Sequence, residues 1–177
     1  MTVVTIAGGS ASGKSTLASA LQKELPSCAV VAMDAYYKQE RDLPLVTLPN
    51  GKTYRDYNCP EAFDLAKLEE DVRRLISQNA YDFLLIEGLL TLWDKELRGL
   101  SDKRIFIDCP ADIRIVRRLR RNLSWGLSFD EIADVYLDLV RDRHEEYVAP
   151  AAVYADLILD SSHGISEHLS RVLSYIA

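Results

Sequence analysis

Gly8-Gly9-Ser10-Ala11-Ser12-Gly13-Lys14-Ser15 satisfies the spacing G-x-x-x-x-G-K-[ST] and stands between an apolar, β-branched run, Val3 to Ala7, and a helical stripe of Leu17, Ala20, Leu21 and Leu25. That order commits the chain to strand, glycine turn and helix. The glycines let backbone N–H groups turn inward around phosphate oxygens, and the helix start adds partial positive charge. Lys14 then reaches the β and γ phosphates, and Ser15 is placed to hold Mg²⁺. The phosphate-binding residues are therefore Gly8, Gly9, Ser10, Ala11, Ser12, Gly13, Lys14, Ser15 and Thr16, with Thr16 open between a phosphate contact and simple packing in the first helical turn.

The remaining periodicity repeats the strand-to-helix pattern. Cys28 to Met33, Tyr81 to Ile86, Arg104 to Ile107 and Leu157 to Leu159 read as four further strands. Helical stripes run from Asp64 to Gln78, from Pro110 past Leu123, from Ser128 to Tyr147 and from Ile165 to Ile176, and Ser128 with Glu131 forms a capping box. In the third of these, Phe129, Ile132, Tyr136, Leu139 and Arg143 share one face, with Asp130, Asp134, Asp138 and Asp142 elsewhere. Gln39 to Pro60, punctuated by Pro44, Pro49, Asn50-Gly51 and Pro60, reads as a long functional loop. The alternation predicts one α/β domain over 1–177: a five-stranded parallel sheet flanked by helices on both faces in three layers.

Two carboxylates leave apolar strands at their C-terminal ends, Asp34 after Val30 to Met33 and Glu87 after Phe83 to Ile86. That edge of a doubly wound sheet faces the ligand. A carboxylate beside a γ-phosphate accepts the proton of an attacking hydroxyl or helps to hold Mg²⁺, and two of them divide those tasks. The alternative for each is an ordinary loop acid or helix cap. Arg114, Arg118 and Arg121 follow i, i+4, i+7 spacing along one helix and present guanidinium groups to phosphates or ribose. Solvated surface is the competing account, and the stronger one for Arg114, Arg117 and Arg120. His144 reads as a partly buried structural histidine, and Trp125 either stacks on an adenine or covers a hinge.

These segments together resemble the uridine kinase and nicotinamide riboside kinase group, related to phosphoribulokinase and pantothenate kinase. The resemblance rests on residues 8–16, Met33-Asp34-Ala35-Tyr36-Tyr37-Lys38, Tyr57-Asn58-Cys59-Pro60-Glu61-Ala62-Phe63-Asp64, Ile86-Glu87-Gly88 and Asp108-Cys109-Pro110-Ala111-Asp112-Ile113-Arg114, with 141–150 and Tyr154-Ala155-Asp156 behind them. It implies a three-layer P-loop NTPase fold with a short helical lid near 117–130, and a kinase that moves the γ-phosphoryl group of ATP, with Mg²⁺, onto a hydroxyl of a nucleoside-like acceptor. Carried over, Asp34 is the general base, Lys14 and Arg121 are catalytic, Tyr37 and Arg118 line the acceptor and ribose, and Ser15 with Glu87 holds the metal.

Three departures bear on the acceptor. The family's aspartate for the ribose hydroxyls aligns with Asn58, a neutral group, and Asp56 stands nearby as a substitute. The lid segment Arg121 to Leu127 is one residue shorter than in uridine kinases and lacks two arginines. Only Asn79-Ala80 intervenes between the helix ending at Gln78 and the strand from Tyr81, where uridine kinases place a base-reading hairpin. The acceptor thus ranges over uridine, cytidine, nicotinamide riboside or another small alcohol such as a vitamin precursor.

The net charge of −6 argues against wide contact with nucleic acid or an anionic membrane. Three widely spaced cysteines suit reduced thiols in the cytoplasm, and no membrane-spanning run or secretory leader is visible. A nucleotide-dependent switch is the remaining alternative, and no N-K-x-D guanine-reading segment supports it.

Overall fold

The computed structural model describes residues 1–161 and 163–176. Five strands, β1 (Thr2–Gly8), β2 (Cys28–Ala32), β5 (Phe83–Gly88), β6 (Lys103–Asp108) and β7 (Leu157–Asp160), form one parallel sheet in the order β2-β5-β1-β6-β7. Because side chains alternate across a strand, each face buries its own cluster. Val3, Ala7, Leu84, Ile86 and Phe106 pack under α2 (Leu65–Gln78) and α3 (Lys95–Leu100), with Leu68, Val72 and Leu97. Val4, Ile6, Leu85, Ile105 and Ile107 pack under α1 (Lys14–Glu24) and α7 (Ile165–Ile176), with Leu17, Leu21, Val172 and Ile176. The three layers expected from the alternation are therefore present.

Element ends differ in ways that matter for the site. β2 stops at Ala32, and Met33–Tyr36 forms a 3₁₀ turn that carries Asp34. β5 starts at Phe83 rather than Tyr81, because the N–H groups of Asp82 and Phe83 both donate to the Ser27 carbonyl at the turn before β2. It continues to Gly88, so Glu87 lies inside the strand. Pro110 is the N-cap of α4 (Ala111–Ser124), not a residue of its first turn.

The span read as a loop from Gln39 to Pro60 contains an antiparallel hairpin, β3 (Leu45–Thr47) and β4 (Thr53–Arg55), turned at Asn50-Gly51. The helix expected from Ser128 to Tyr147 is not regular. It runs as α5 (Phe129–Val135), a π-helical stretch Tyr136–Val140, α6 (Arg141–Arg143) and a second π-helical stretch His144–Val148. The Ser128 and Glu131 capping box is formed at its start. A 3₁₀ segment, Ala149–Tyr154, then leads into β7.

Candidate active site

A cavity of about 1310 Å³ opens where β1, β2, β5 and β7 end, and Ser10 to Thr16 form one wall of it. Gly8 and Gly9 lie beneath that wall, buried. A Cβ at Gly9 would stand 2.9 Å from Arg114 Cδ and Nη1 and 3.0 Å from His144 Cε1, so any larger residue there would push those side chains aside. Ala11 has φ 65 and Gly13 φ 105, both left-handed, which turns the loop back on itself before α1. Lys14 Nζ donates to the Gly9 carbonyl at 3.0 Å, bending the ammonium over the loop. Burial lowers the Lys14 pKa, and Glu87 and Asp34 oppose that shift.

Ser15 Oγ donates to Glu87 Oε1 at 2.9 Å. Burial raises the Glu87 carboxyl above its ordinary value, while Lys14 and the Ser15 hydroxyl pull it down. A hydroxyl and a carboxylate side by side, with Asp34 in the same cavity, make an all-oxygen donor set suited to a hard divalent cation. The inward-facing loop ahead of a helix N-terminus suits phosphate. Both expected groups, nucleotide phosphates and Mg²⁺, therefore fit the side chains present.

Asp34 is exposed and lines the cavity. Tyr37 also lines it; its ring stacks on Phe63 at 4.3 Å between centroids, and its hydroxyl donates to the Tyr57 carbonyl at 3.1 Å. Burial, with Asp34 next in effect, raises the Tyr37 pKa far enough that the phenol stays protonated. Tyr36 points elsewhere, donating to Asp71 on α2.

The α4 arginines cover the phosphate loop. Arg118 Nη1 and Arg121 Nη2 both reach Ser10 Oγ, at 3.3 and 3.4 Å. Arg118 Nε is buried without a hydrogen-bond partner, and burial lowers the Arg118 pKa. Arg121 also sits 5.0 Å over the Trp125 ring. Two arginines given more readily to solvent lie on the loop instead: Arg117 Nη1 approaches the carbonyls of Ala11 and Ser12, and Arg114 is buried behind Gly9, donating to the Cys109 carbonyl at 2.8 Å. His144 is held low, to about 4, by burial and by Arg114 and Lys14.

Asn58 lines the cavity, but Asp56 does not. Asp56 is fully buried; its Oδ2 accepts from Arg143 Nε at 2.6 Å and its Oδ1 from the Asn58 N–H at 2.8 Å. It is thus no substitute ligand for an acceptor, because both oxygens are engaged inside the protein.

Two walls were missed in the sequence. The hairpin contributes Lys52, Thr53, Tyr54 and Arg55, and α5 contributes Glu131, Ile132, Asp134 and Val135. The signals were present: Asn50-Gly51 flanked by β-branched residues for the hairpin, and aspartates four apart for the helix. Among the described residues, no helix is long and apolar enough to cross a membrane, and Cys28, Cys59 and Cys109 are free.

The model of the phosphoribulokinase / uridine kinase family matches residues 76–164. Uridine kinases from Clostridium botulinum (strain Kyoto / Type A2) and Staphylococcus aureus (strain JH9) are 31% and 33% identical, over 89% of this chain and 86% of each relative. Among solved structures, a putative fructose transport system kinase from Silicibacter sp. TM1040 superposes with a TM-score of 0.63 at 23% identity, covering 89% of both chains. A possible uridine kinase from Bacillus stearothermophilus gives 0.52 at 20% identity over 90% of this chain and 88% of that one. The latter two share the fold; the curated relatives, matched over most of both chains, carry the assignment. The chain belongs to the phosphoribulokinase / uridine kinase family, and is a phosphotransferase with an alcohol group as acceptor.

Proposed function

We propose that the protein transfers the γ-phosphoryl group of ATP to a hydroxyl of a nucleoside or similar metabolite, most readily the 5′-OH of a ribosyl group. One observation carries this reading. The phosphate loop, the Ser15 and Glu87 pair, Asp34, Tyr37 and Asn58 all face a single cavity, with Arg118 and Arg121 over its rim.

When bound, ATP supplies the phosphoryl group and Mg²⁺ neutralises charge on it. The N–H groups of residues 9–15 and the start of α1 hold the phosphates, and Lys14 adds a positive charge. Ser15 and Glu87 hold the cation. Asp34 takes the proton from the acceptor hydroxyl, a task that needs position more than basicity in a loose phosphoryl-transfer transition state. Arg118 orients ribose or phosphate, and Arg121 opposes the charge that develops on the transferred group. Residues 117–130 act as a short lid over a single kinase unit of 177 residues. ATP as donor and three free thiols suit the cytoplasm.

A second acceptor reading, a sugar or vitamin-like alcohol, draws on the same wall: it presents the neutral amide of Asn58, with the nearby Asp56 carboxylate sequestered by Arg143. ADP release measured with uridine, cytidine, nicotinamide riboside, pantothenate and simple sugars separates the two. Strict dependence on one acceptor supports the kinase, and the acceptor names the class. ADP release that ignores every acceptor overturns the proposal in favour of a nucleotide-dependent switch.

A further inference from the structure

The peptide unit joining Tyr57 to Asn58 is pinned at both polar ends. Its carbonyl accepts from the Tyr37 hydroxyl at 3.1 Å, and its N–H donates to Asp56 Oδ1 at 2.8 Å. Tyr37 is itself fixed by stacking on Phe63. The other oxygen of Asp56 accepts from Arg143 Nε at 2.6 Å, and Asp56 is fully buried while the Arg143 side chain is about a quarter exposed. An aspartate that accepts from the N–H two residues on forms a local turn whose shape depends on the direction of the carboxylate. Here that direction is set from outside the turn, by a guanidinium 87 residues away in sequence.

Arg143 arrives there through the irregularity of its helix. Alternate residues 52, 54 and 56, in and beside β4, point to one side and meet the helix in three rungs: Lys52 with Asp134 at 2.7 Å, the Tyr54 hydroxyl with Asp138 at 2.9 Å, and Asp56 with Arg143. Two strand residues advance about 6.7 Å and four helical residues about 6 Å, so strand steps of two match helix steps of four. The first step, Asp134 to Asp138, obeys this. The second, Asp138 to Arg143, takes five residues and leaves the π-helical stretch Tyr136–Val140 on the way. An inserted residue rotates the later part of the helix by about 100°, which brings Arg143 rather than Asp142 onto the rung. Asp142 is left on the exposed side with Arg141.

We infer that Arg143 and Asp56 are positioning residues for the acceptor: their buried ion pair fixes the Tyr57–Asn58 peptide and thereby sets where the Asn58 side chain meets the acceptor. Neither touches the reacting atoms. The Lys52 rung is solvent-exposed and the Tyr54 rung joins a neutral hydroxyl to a part-buried acid, whereas a buried carboxylate deprived of its partner must move or take up a proton. The device couples the helix that lines the cavity to the residue that reads the acceptor. It rests on the proposed function only in assigning Asn58 to the acceptor.

The test is a double-mutant cycle with uridine as acceptor, or nicotinamide riboside where uridine is inert. Arg143→Met is expected to raise the acceptor KM about tenfold or more, with kcat at saturation and the KM for ATP changed by less than about twofold. In an Asn58→Ala background the same substitution adds less than about twofold, because the residue it acts through is gone. Arg143→Lys recovers part of the loss, and Arg141→Met, at an exposed neighbour, changes nothing. Where Arg143→Met does not fold, Asp56→Asn with Arg143→Met leaves no unpaired buried charge and is expected to show the same rise. Equal increases in both backgrounds, or a rise confined to the KM for ATP, overturns the inference.

Amide hydrogen exchange provides a readout free of catalysis. Exchange at Asn58 accelerates about tenfold or more in Arg143→Met while residues of β1 keep their protection. Unchanged exchange at Asn58 overturns the relay. Turnover with no acceptor in either enzyme overturns the proposed function instead, and the exchange result then decides the relay alone.

Discussion

Ser15 Oγ donates to Glu87 Oε1 at 2.9 Å, joining the end of the phosphate loop to the end of β5 across 72 residues. The bond holds a hydroxyl and a carboxylate side by side, the pair proposed to hold the cation. Glu87→Gln keeps the shape and removes the charge, and is expected to weaken Mg²⁺ dependence by about 10 to 100-fold in apparent affinity, read from a metal titration of turnover. The sign of the pH effect is set by burial, which raises the folded-state pKa of Glu87. Its protonated form favours folding, an effect present below the unfolded value and lost as pH rises through the folded one. Metal binding runs the other way: apparent Mg²⁺ affinity falls as pH drops through the raised value, and the Gln variant lacks that acid limb.

Asp34→Asn is expected to lower kcat by about a hundredfold or more while the nucleotide dissociation constant stays near that of the parent. A stopped assay of product formation alongside nucleotide titration checks both. Near-normal turnover removes Asp34 as the proton acceptor.

Lys14→Ala is expected to weaken nucleotide affinity and rate together, because the ammonium lies over the phosphate loop in the free protein, 3.0 Å from the Gly9 carbonyl. Unchanged kinetics for ATP in this variant contradicts the phosphate cradle.

His144 should make the protein acid-sensitive. Its folded-state pKa is lowered to about 4 by burial first and by Arg114 and Lys14 after it. The unfolded chain takes up a proton on this ring as pH falls through about 6.5, and the folded chain does not until about 4, so stability drains away between those values as pH falls. Thermal melts between about pH 7 and about pH 4 are expected to show a decline in Tm that His144→Gln flattens. An identical decline in that variant assigns the effect to other groups.

Gly9→Ala tests the support beneath the loop. A methyl group there meets Arg114 and His144 at about 3 Å, and overpacking of this kind costs about 1–3 kcal/mol. The expected result is a lower Tm and weaker nucleotide binding in one variant, measured by thermal shift with and without ATP.

Much of the fold and the site was legible in the sequence wherever a local rule fixes the outcome. The strand, glycine turn and helix at Val3 to Leu25 have one reading, and Asp34 and Glu87 are marked by their place at strand ends. What escaped was set by contacts between distant segments. Leu45–Thr47 and Thr53–Arg55 are too short to show a period, and the helix that Lys52 and Tyr54 meet across the cavity lies 82 to 84 residues away in sequence. Asp56 looked like a ligand because its charge was visible and its partner was not. Arg143 fell on the apolar face only if the helix was regular, and the π-helical stretch Tyr136–Val140 before it makes it otherwise. Lys95–Leu100 carries its own start signal, the Asp94 side chain accepting from the Leu97 N–H, but one turn and a half of helix is too short for a stripe.

Behind the cavity, Gly88 ends β5 directly against the buried Met33, the residue before Asp34. A Cβ on Gly88 would collide with Met33 Cβ, stand 2.8 Å from Met33 Sδ and 3.0 Å from Thr91 Cγ2. The contact works as a mechanical stop. It lets the strand bearing Glu87 and the turn bearing Asp34 approach more closely than any side chain at position 88 would allow. One methyl group at position 88 would press the strand and the turn apart without changing any side chain that lines the cavity.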